Sequence, residues 1–361
     1  MRIARYLAGD VLAHTSAVSL VLLAIIITGR FVKYLAQAAT GELAADVLLP
    51  IMFYRLPYFL ELLLPLSLFI GILMSYGRFY VESEMTVLSA CGTGPARLAL
   101  YTAVPALLIT LVVAALTLYL TPLGSERSEQ LLRDPGAMRG LQMTSEGRFQ
   151  AWNDNSVVSY ARRIDRKSGE FERVFFFETS PVDSDTRIES ITVAELGRVV
   201  RNDEYGARYV ELNNGVRYTG TPGQADFELI RFETFAQRLP PIAPIVRKNA
   251  VDGRPTRFLL SSDLPEDRAA LHWRASMIVM VPIIALIAMT FSKTNHRRGR
   301  YLQLVPALLA HLTYLLLLAS ARTRVGEGEA GPEQIWLIHL VFLLLALGLL
   351  GAPALRQLLQ R

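Results

Sequence analysis

Apolar residues are concentrated in six long stretches, three on each side of a long polar insert. Each stretch has about 20 residues with few charges, enough for an α-helix to cross a hydrocarbon core about 30 Å thick. A helix also satisfies its own backbone hydrogen bonds in lipid. The pattern therefore predicts an α-helical polytopic membrane protein whose six transmembrane helices cover Val11–Leu35, Val47–Tyr76, Leu98–Leu120, His272–Phe291, Tyr301–Ser320 and Ile335–Leu350.

The insert has short runs rich in Val, Phe, Tyr, Ile and Thr, several of which alternate between apolar and polar positions. This pattern predicts strands, and their regular spacing is typical of a sandwich or an open barrel. Asn213, Asn214 and Gly215 predict a hairpin turn, because such turns need residues that tolerate positive φ. The predicted strands are Ser156–Ile164, Phe171–Glu178, Ser190–Val200, Ala207–Leu212, Val216–Thr219 and Phe227–Phe235.

Three regions follow from these patterns. Residues 1–121 carry transmembrane helices 1–3, residues 122–270 an inserted all-β domain with its connecting segments, and residues 271–361 helices 4–6. The insert has no His and no Cys, which argues against a metal site or a Ser/His/Asp nucleophilic site there. The single cysteine, Cys91, excludes a disulfide within the chain.

The net charge of +5 does not indicate a nucleic-acid partner, because the bases lie beside the membrane segments. Lys and Arg are enriched on the side that holds both termini, whereas the short loop on the other side carries Glu42 and Asp46 and no base. The positive-inside rule therefore predicts cytoplasmic termini and an outward-facing insert. The bases that carry this prediction are Arg2, Arg5, Arg78, Arg97, Lys293, Arg297, Arg298, Arg300, Arg356 and Arg361.

A cytoplasmic loop at about 77–92 is patterned as a short amphipathic helix that ends near Gly92. Glu82 and Glu84 carry negative charge on the side where bases are the rule, and Met85 and Leu88 supply apolar contacts. One interpretation is a docking helix for a soluble cytoplasmic partner. The alternative is an interfacial helix with solvated carboxylates.

Four bases are expected near the outer surface of the membrane. At 1.5 Å per residue, a helix that enters near Val11 reaches the far side near Arg30, and Lys33 follows on the same face. The fifth helix brings Arg322 and Arg324 to the same depth. Arginine suits phosphate through its planar fork of donors, so these bases are candidates for an anionic headgroup. Ordinary snorkelling of terminal bases is the alternative.

Ionisable residues also occur inside the predicted helices, namely Arg55, Glu61 and His311. They are costly in lipid unless they are paired or hydrated. An intramembrane enzyme would need paired catalytic groups, for which Glu61 and His311 are the candidates. The chain has no Gly-x-x-x-x-Gly-Lys-Ser/Thr phosphate loop. Uphill transport would therefore need a separate ATP-using subunit, for which the acidic loop offers a docking point.

The stretches Leu64–Met74 and Tyr80–Gly92, with Leu271–Arg274 at the start of the fourth helix, resemble the LptF/LptG family. Its members are permease subunits of the lipopolysaccharide export ABC transporter of Gram-negative bacteria. The Glu-Ser-Glu and Ala-Cys-Gly sequences within Tyr80–Gly92 are closer to F-type than to G-type members. The resemblance covers the whole chain.

The resemblance implies a non-catalytic permease that extracts lipopolysaccharide from the inner membrane, with a jellyroll-like periplasmic domain and no cofactor of its own. Expected partners are an LptG-like permease subunit, an LptB-like ATPase dimer that uses ATP, an LptC-like bitopic protein and an LptA-like periplasmic bridge. Glu84 matches the acidic position that engages the ATPase. Arg30 and Lys33 match bases that contact lipid A phosphates. The alternative is a membrane-anchored structural or sensory protein whose periplasmic β domain binds a ligand.

Overall fold

The computed structural model describes residues 2–39, 47–133, 146–152, 157–165, 170–181, 187–202, 207–225, 227–238, 250–293 and 304–359. Six helices in this part of the chain are long and apolar enough to cross a membrane, as predicted. They are α1 (Arg2–Ala39), α2 (Leu48–Val81), the continuous span Pro95–Leu132, α7 (Pro265–Phe291), α8 (Leu304–Gly326) and α9 (Glu333–Leu359).

The third span is longer than its apolar stretch. It consists of α4 (Pro95–Ala115), a π-helical segment at Leu116–Leu120 and α5 (Thr121–Arg133), so the helix continues well past Leu120. Shorter helices lie at α3 (Glu84–Ala90), at a 3₁₀ turn (Ala250–Gly253) and at α6 (Thr256–Ser261).

The chain divides into two compact units. One contains residues 1–30, 50–129 and 247–361, and the other contains residues 31–49 and 130–246. In the first unit α7 is the most buried span, and α4, α8 and α9 pack against it. By contrast, α1 leaves most of its apolar surface exposed, including Leu20 and Ile25. A lipid or protein neighbour is expected to cover this surface.

Polar side chains join the last three helices. His339 of α9 places Nε2 2.8 Å from Ser276 Oγ of α7 and Nδ1 2.5 Å from Tyr314 OH of α8. All three residues are buried, and the Tyr314 ring stacks on Phe342 at 4.0 Å. Interhelical hydrogen bonds of this kind hold membrane helices together where hydrophobic contrast is weak.

Replacement of His339 with Leu is expected to destabilise this group of helices. The change leaves two buried hydroxyls without their partner, at a cost of about 1–3 kcal/mol each before relaxation. Thermal unfolding of the detergent-solubilised protein should show a clear fall in midpoint. The control is Leu340→Ala on the neighbouring exposed position, which should shift the midpoint much less. Equal midpoints for the wild type and His339→Leu would contradict this role.

The second unit contains one six-stranded antiparallel sheet in which the strands follow one another in chain order, β1-β2-β3-β4-β5-β6. The predicted all-β insert is thus confirmed, although the short edge strand β1 was not predicted. The strands are β1 (Phe149–Trp152), β2 (Val157–Asp165), β3 (Glu170–Pro181), β4 (Arg187–Asn202), β5 (Ala207–Gly220) and β6 (Phe227–Arg238).

The sheet bends along one row that crosses its central strands. Residue pairing is interrupted there at Arg173, Glu195 and Asn214, and both Arg173 and Asn214 have positive φ, 49° and 55°. Gln237 of β6 donates a 2.8 Å hydrogen bond to Glu178 of β3, although two strands lie between them. Three strand spacings in a flat sheet would separate them by about 14 Å. The sheet is therefore folded on itself, and we call this row the fold line.

The core of this unit lies between the two halves of the folded sheet. Val174 and Phe176 come from one side of the fold line, and Val210 and Leu212 from the other, and all four are buried. A single sheet thus supplies both layers of a sandwich-like interior, which agrees with the sandwich predicted from the strand spacing.

The predicted hairpin at Asn213–Gly215 is wrong, because the two runs on either side form one strand, β5. Asn214 uses its positive φ at the fold line instead of reversing the chain. Gly215 continues the strand, pairing with Ala194 and Phe232. A Cβ at Gly215 would lie 2.4 Å from the Phe232 ring, so close packing explains the glycine.

Candidate functional site

The patterned loop at 77–92 is divided between two helices. The long helix α2 continues to Val81, and α3 begins at Glu84 after Ser83, which adopts a left-handed conformation with φ of 63°. The seven-residue helix α3 then ends before Gly92, which also has positive φ. The break at Ser83 lets α3 leave the axis of α2.

The acidic residues of this region are linked to the first helix. Tyr6 of α1 donates a hydrogen bond of 3.2 Å to Glu84 Oε2. Arg78 forms ion pairs with Asp10 of α1 at 2.8 Å and with Glu82 at 3.2 Å. Movement of α3 would therefore have to move the start of α1 or break the hydrogen bond between Tyr6 and Glu84. Sequence reasoning missed both Tyr6 and Asp10, which contact this region from the first helix.

The four residues predicted for partner docking differ in exposure. Glu82 is exposed and Glu84 is half-exposed, whereas Met85 is buried and Leu88 packs against the helical core. Val87 is 60% exposed and lies one turn from Glu84, so it presents an apolar surface beside the carboxylate. This residue was not predicted, although its spacing from Glu84 is a usable signal.

The outer bases also differ in their surroundings. Arg30 and Lys33 are exposed and lie one turn apart on α1, and the Arg30 guanidinium sits 5.5 Å from the Phe59 ring centroid. Arg324 is exposed, with Nε 4.0 Å from Glu329. Arg30 lies against Phe59, and the neighbouring Tyr58 lines a cavity together with Arg322, so these two bases lie at the same end of the first unit.

Arg322 is held within the protein. It forms an ion pair with Asp252, and its guanidinium stacks 5.0 Å from the Trp273 ring centroid. Only about a quarter of its side chain is exposed. The charge of Arg322 is already paired with that of Asp252. The predicted depth of Arg322 in the membrane did not indicate this pairing.

Arg322 borders a small polar cavity that also contains Glu61, Asp252 and Arg274. Glu61 accepts a 2.7 Å hydrogen bond from Thr121. The remaining lining residues are Tyr58, Thr117, Thr121 and Trp273. Within this lining, Arg322 is paired with Asp252, and Glu61 is hydrogen-bonded to Thr121.

Glu61 and His311 do not form a catalytic pair. His311 stacks on Phe69 at 5.3 Å, eight residues beyond Glu61 on α2, or about 12 Å along the axis. Among the described residues no group of three or more His, Cys, Asp or Glu could hold a metal ion.

Comparison with known proteins covers nearly the whole chain. Residues 5–351 match the family described as lipopolysaccharide export system permease LptF/LptG. The chain is 31% identical over 348 residues to the lipopolysaccharide export system permease protein LptF of Escherichia coli K12, which covers 96% of this chain and 94% of the relative. The protein of the same name from Shigella flexneri shows the same identity and coverage.

Proposed function

The chain belongs to the LptF/LptG family of lipopolysaccharide export permeases, and we propose that it is the F-type subunit that moves lipopolysaccharide out of the bacterial inner membrane. The observation that carries this proposal is the 31% identity to a protein named LptF over 96% of the chain. Six membrane-spanning helices fit a multi-pass permease.

Both termini face the cytoplasm in this proposal, and the β domain within 122–270 faces the periplasm. The distribution of Lys and Arg supports this orientation. The chain pairs with an LptG-like permease subunit and contacts an LptC-like bitopic protein and an LptA-like bridge. An LptB-like ATPase dimer binds and hydrolyses ATP, while this chain performs no chemistry and carries no cofactor.

The ATPase engages the short helix α3 through Glu84 and the exposed Val87 beside it. The hydrogen bond from Tyr6 carries the movement of α3 to α1, and the ion pair between Arg78 and Asp10 joins the end of α2 to the same helix. This long helix bears Arg30 near its other end. ATP hydrolysis thereby moves the membrane helices against one another and drives lipid towards the folded sheet.

The phosphates of lipid A contact the outer bases Arg30, Lys33, Arg322 and Arg324. This role is supported by the exposure of three of these side chains, Arg30, Lys33 and Arg324. Arg322 contributes through the donors that its pairing with Asp252 leaves over, since a guanidinium carries five N–H groups.

The double variant Arg30→Glu with Lys33→Glu is expected to reduce photocrosslinking of the purified transporter to lipopolysaccharide by about tenfold. The reason is that lost charge-assisted hydrogen bonds are worth about 1.5–3 kcal/mol each when shielded and less when exposed. Crosslinks are measured from a photoreactive residue placed at Phe59, which lies against Arg30.

The matched control is Arg30→Lys with Lys33→Arg, which keeps both charges and should retain most of the crosslinking. Undiminished crosslinking in the charge-reversed variant would remove these two bases from the binding site. Purification of the wild-type chain without lipopolysaccharide or partner subunits would contradict the proposed function itself.

A further inference from the structure

The chain that follows the β strands is fastened to the membrane helices by a buried guanidinium. Arg274 of α7 is 4% exposed. It donates hydrogen bonds to the carbonyl oxygens of Asp252 (2.9 Å) and Arg254 (2.8 Å) and to the Thr256 hydroxyl (2.7 Å). One side chain thus holds three alternate residues of the segment Ala250–Ser261, which we call the elbow.

The elbow is also held by the third span. The Thr256 hydroxyl, which accepts from Arg274, donates to the carbonyl oxygen of Leu118 at 2.7 Å. Leu118 lies in the π-helical segment, where irregular helical hydrogen bonding is often found at functional positions. Gly253 packs closely on the same span, since a Cβ there would lie 3.2 Å from the Glu126 nitrogen.

Two carboxylates complete the network. Asp252 in the elbow pairs with Arg322 of α8, and Arg254 in the elbow pairs with Asp267 of α7, which is fully buried. Ser262 also donates to Asp267 at 2.6 Å. The elbow is therefore connected to the third span, to α7 and to α8.

Such a network is a poor way to gain stability alone. A buried ion pair loses so much solvation that apolar residues of similar size often stabilise a fold equally well or better. Charged groups do fix one geometry, because a shifted register would leave the buried Arg274 and Asp267 without their partners. The network is thus better suited to keeping the elbow in one defined position while the helices move than to stabilising the fold.

We infer that Arg274 and the pair Asp252–Arg322 are positioning residues of transport, which make the elbow move together with the membrane helices. This inference rests on the proposed function and deepens it. Helix movement driven by the partner ATPase passes through the elbow along the chain to the β domain. Through the elbow, the β domain opens at the time when lipid leaves the membrane helices.

The test uses the full complex in vesicles that contain lipopolysaccharide. Three quantities are measured: ATP hydrolysis, crosslinking of lipid to a photoreactive residue at Phe59, and crosslinking to one at Phe232 in the folded sheet. Arg274→Gln is expected to preserve the first two and to reduce the third by at least about tenfold, since roughly 1.4 kcal/mol of lost coupling corresponds to that factor. Arg257→Gln, on the exposed side of α6, is the matched control and should change none of them.

Charge exchange gives an independent variant. Asp252→Arg and Arg322→Asp should each lower lipid transfer to the β domain, and the two together should restore it substantially. Unchanged transfer in Arg274→Gln would overturn the inference. The inference would also be overturned if all single variants lost complex assembly, ATP hydrolysis and lipid transfer together and the charge exchange restored none of them. That result would show that these residues have a purely structural role. Failure of the wild-type complex to move lipopolysaccharide at all would instead refute the proposed function.

Discussion

Charge reversal at Glu84 is expected to abolish recovery of the ATPase partner with the purified chain. Glu84 begins α3 and is half-exposed, so its carboxylate can accept from a basic partner group while Tyr6 holds its orientation. Glu84→Lys removes the attraction and adds repulsion, which together cost several kcal/mol in a desolvated contact. Co-purification from detergent-solubilised membranes measures the result.

Glu82→Lys is the matched control for this prediction. Glu82 lies two residues away and is already paired with Arg78 within the chain. Its reversal should therefore weaken recovery of the ATPase much less than the reversal of Glu84. Tyr6→Phe keeps the Glu84 carboxylate and should lower transport more than assembly. Full recovery of the ATPase with Glu84→Lys would place the docking contact elsewhere.

The helical part of the fold could be predicted because lipid admits few alternatives. A long apolar stretch in a bilayer must satisfy its backbone internally, so length and hydrophobicity alone predicted all six spans. Their ends were less predictable. The π-helical segment and α5 extend the third span through polar residues such as Ser125 and Glu126, where hydropathy gives no signal.

The sequence predicted that the insert is all-β, but it did not predict how the strands run and where the sheet bends. An Asn-Asn-Gly sequence indicates residues that tolerate positive φ. Such residues occur both in hairpin turns and at sharp bends within a strand, so the pattern does not distinguish the two. The bend at Asn214 depends on matching irregularities at Glu195 and Arg173 in neighbouring strands. No local sequence pattern shows that these three positions lie side by side, because strand pairing brings them together.

The candidate sites show the same division. Local charge made Glu84 a candidate docking residue, whereas its hydrogen-bond donor Tyr6 is 78 residues away in the chain. Arg322 was predicted near the outer end of the fifth helix, but its pairing with Asp252 joins residues 70 positions apart, which no local pattern indicates. Contacts of this kind arise from tertiary packing, so a residue's charge could be predicted while its partner could not.

The folded sheet presents apolar residues on both of its faces, which raises the question of where acyl chains travel. Inside the fold, Val174, Val210 and Leu212 are 0% exposed, so this structure leaves no room there. On the outer face, Val193 and Tyr218 are more than 40% exposed. Sheltering an acyl chain from water is worth about 0.8 kcal/mol per CH₂, and a closed interior shelters it more completely than an open face.

Opening of the interior along the fold line would not require the backbone ladders to break. Ladder hydrogen bonds run between neighbouring strands within each half, whereas contact between the halves is made by side chains such as those of Val174 and Leu212. Rotation at Asn214 and its neighbours can therefore separate the halves while both ladders persist. The apolar contacts that are lost would be replaced by contacts with the acyl chains.

A photoreactive residue at Phe232, which packs into the interior, is therefore expected to crosslink lipopolysaccharide strongly when ATP is present. The same residue at Phe175 should crosslink at least about tenfold less, because Phe175 pairs with Tyr160 and Val193 on the outer face, where bound chains would stay partly in water. Without ATP, the closed interior should keep the signal at Phe232 low. Stronger crosslinking at Phe175 would instead place the lipid path on the outer face, and the fold line would then have no part in lipid binding.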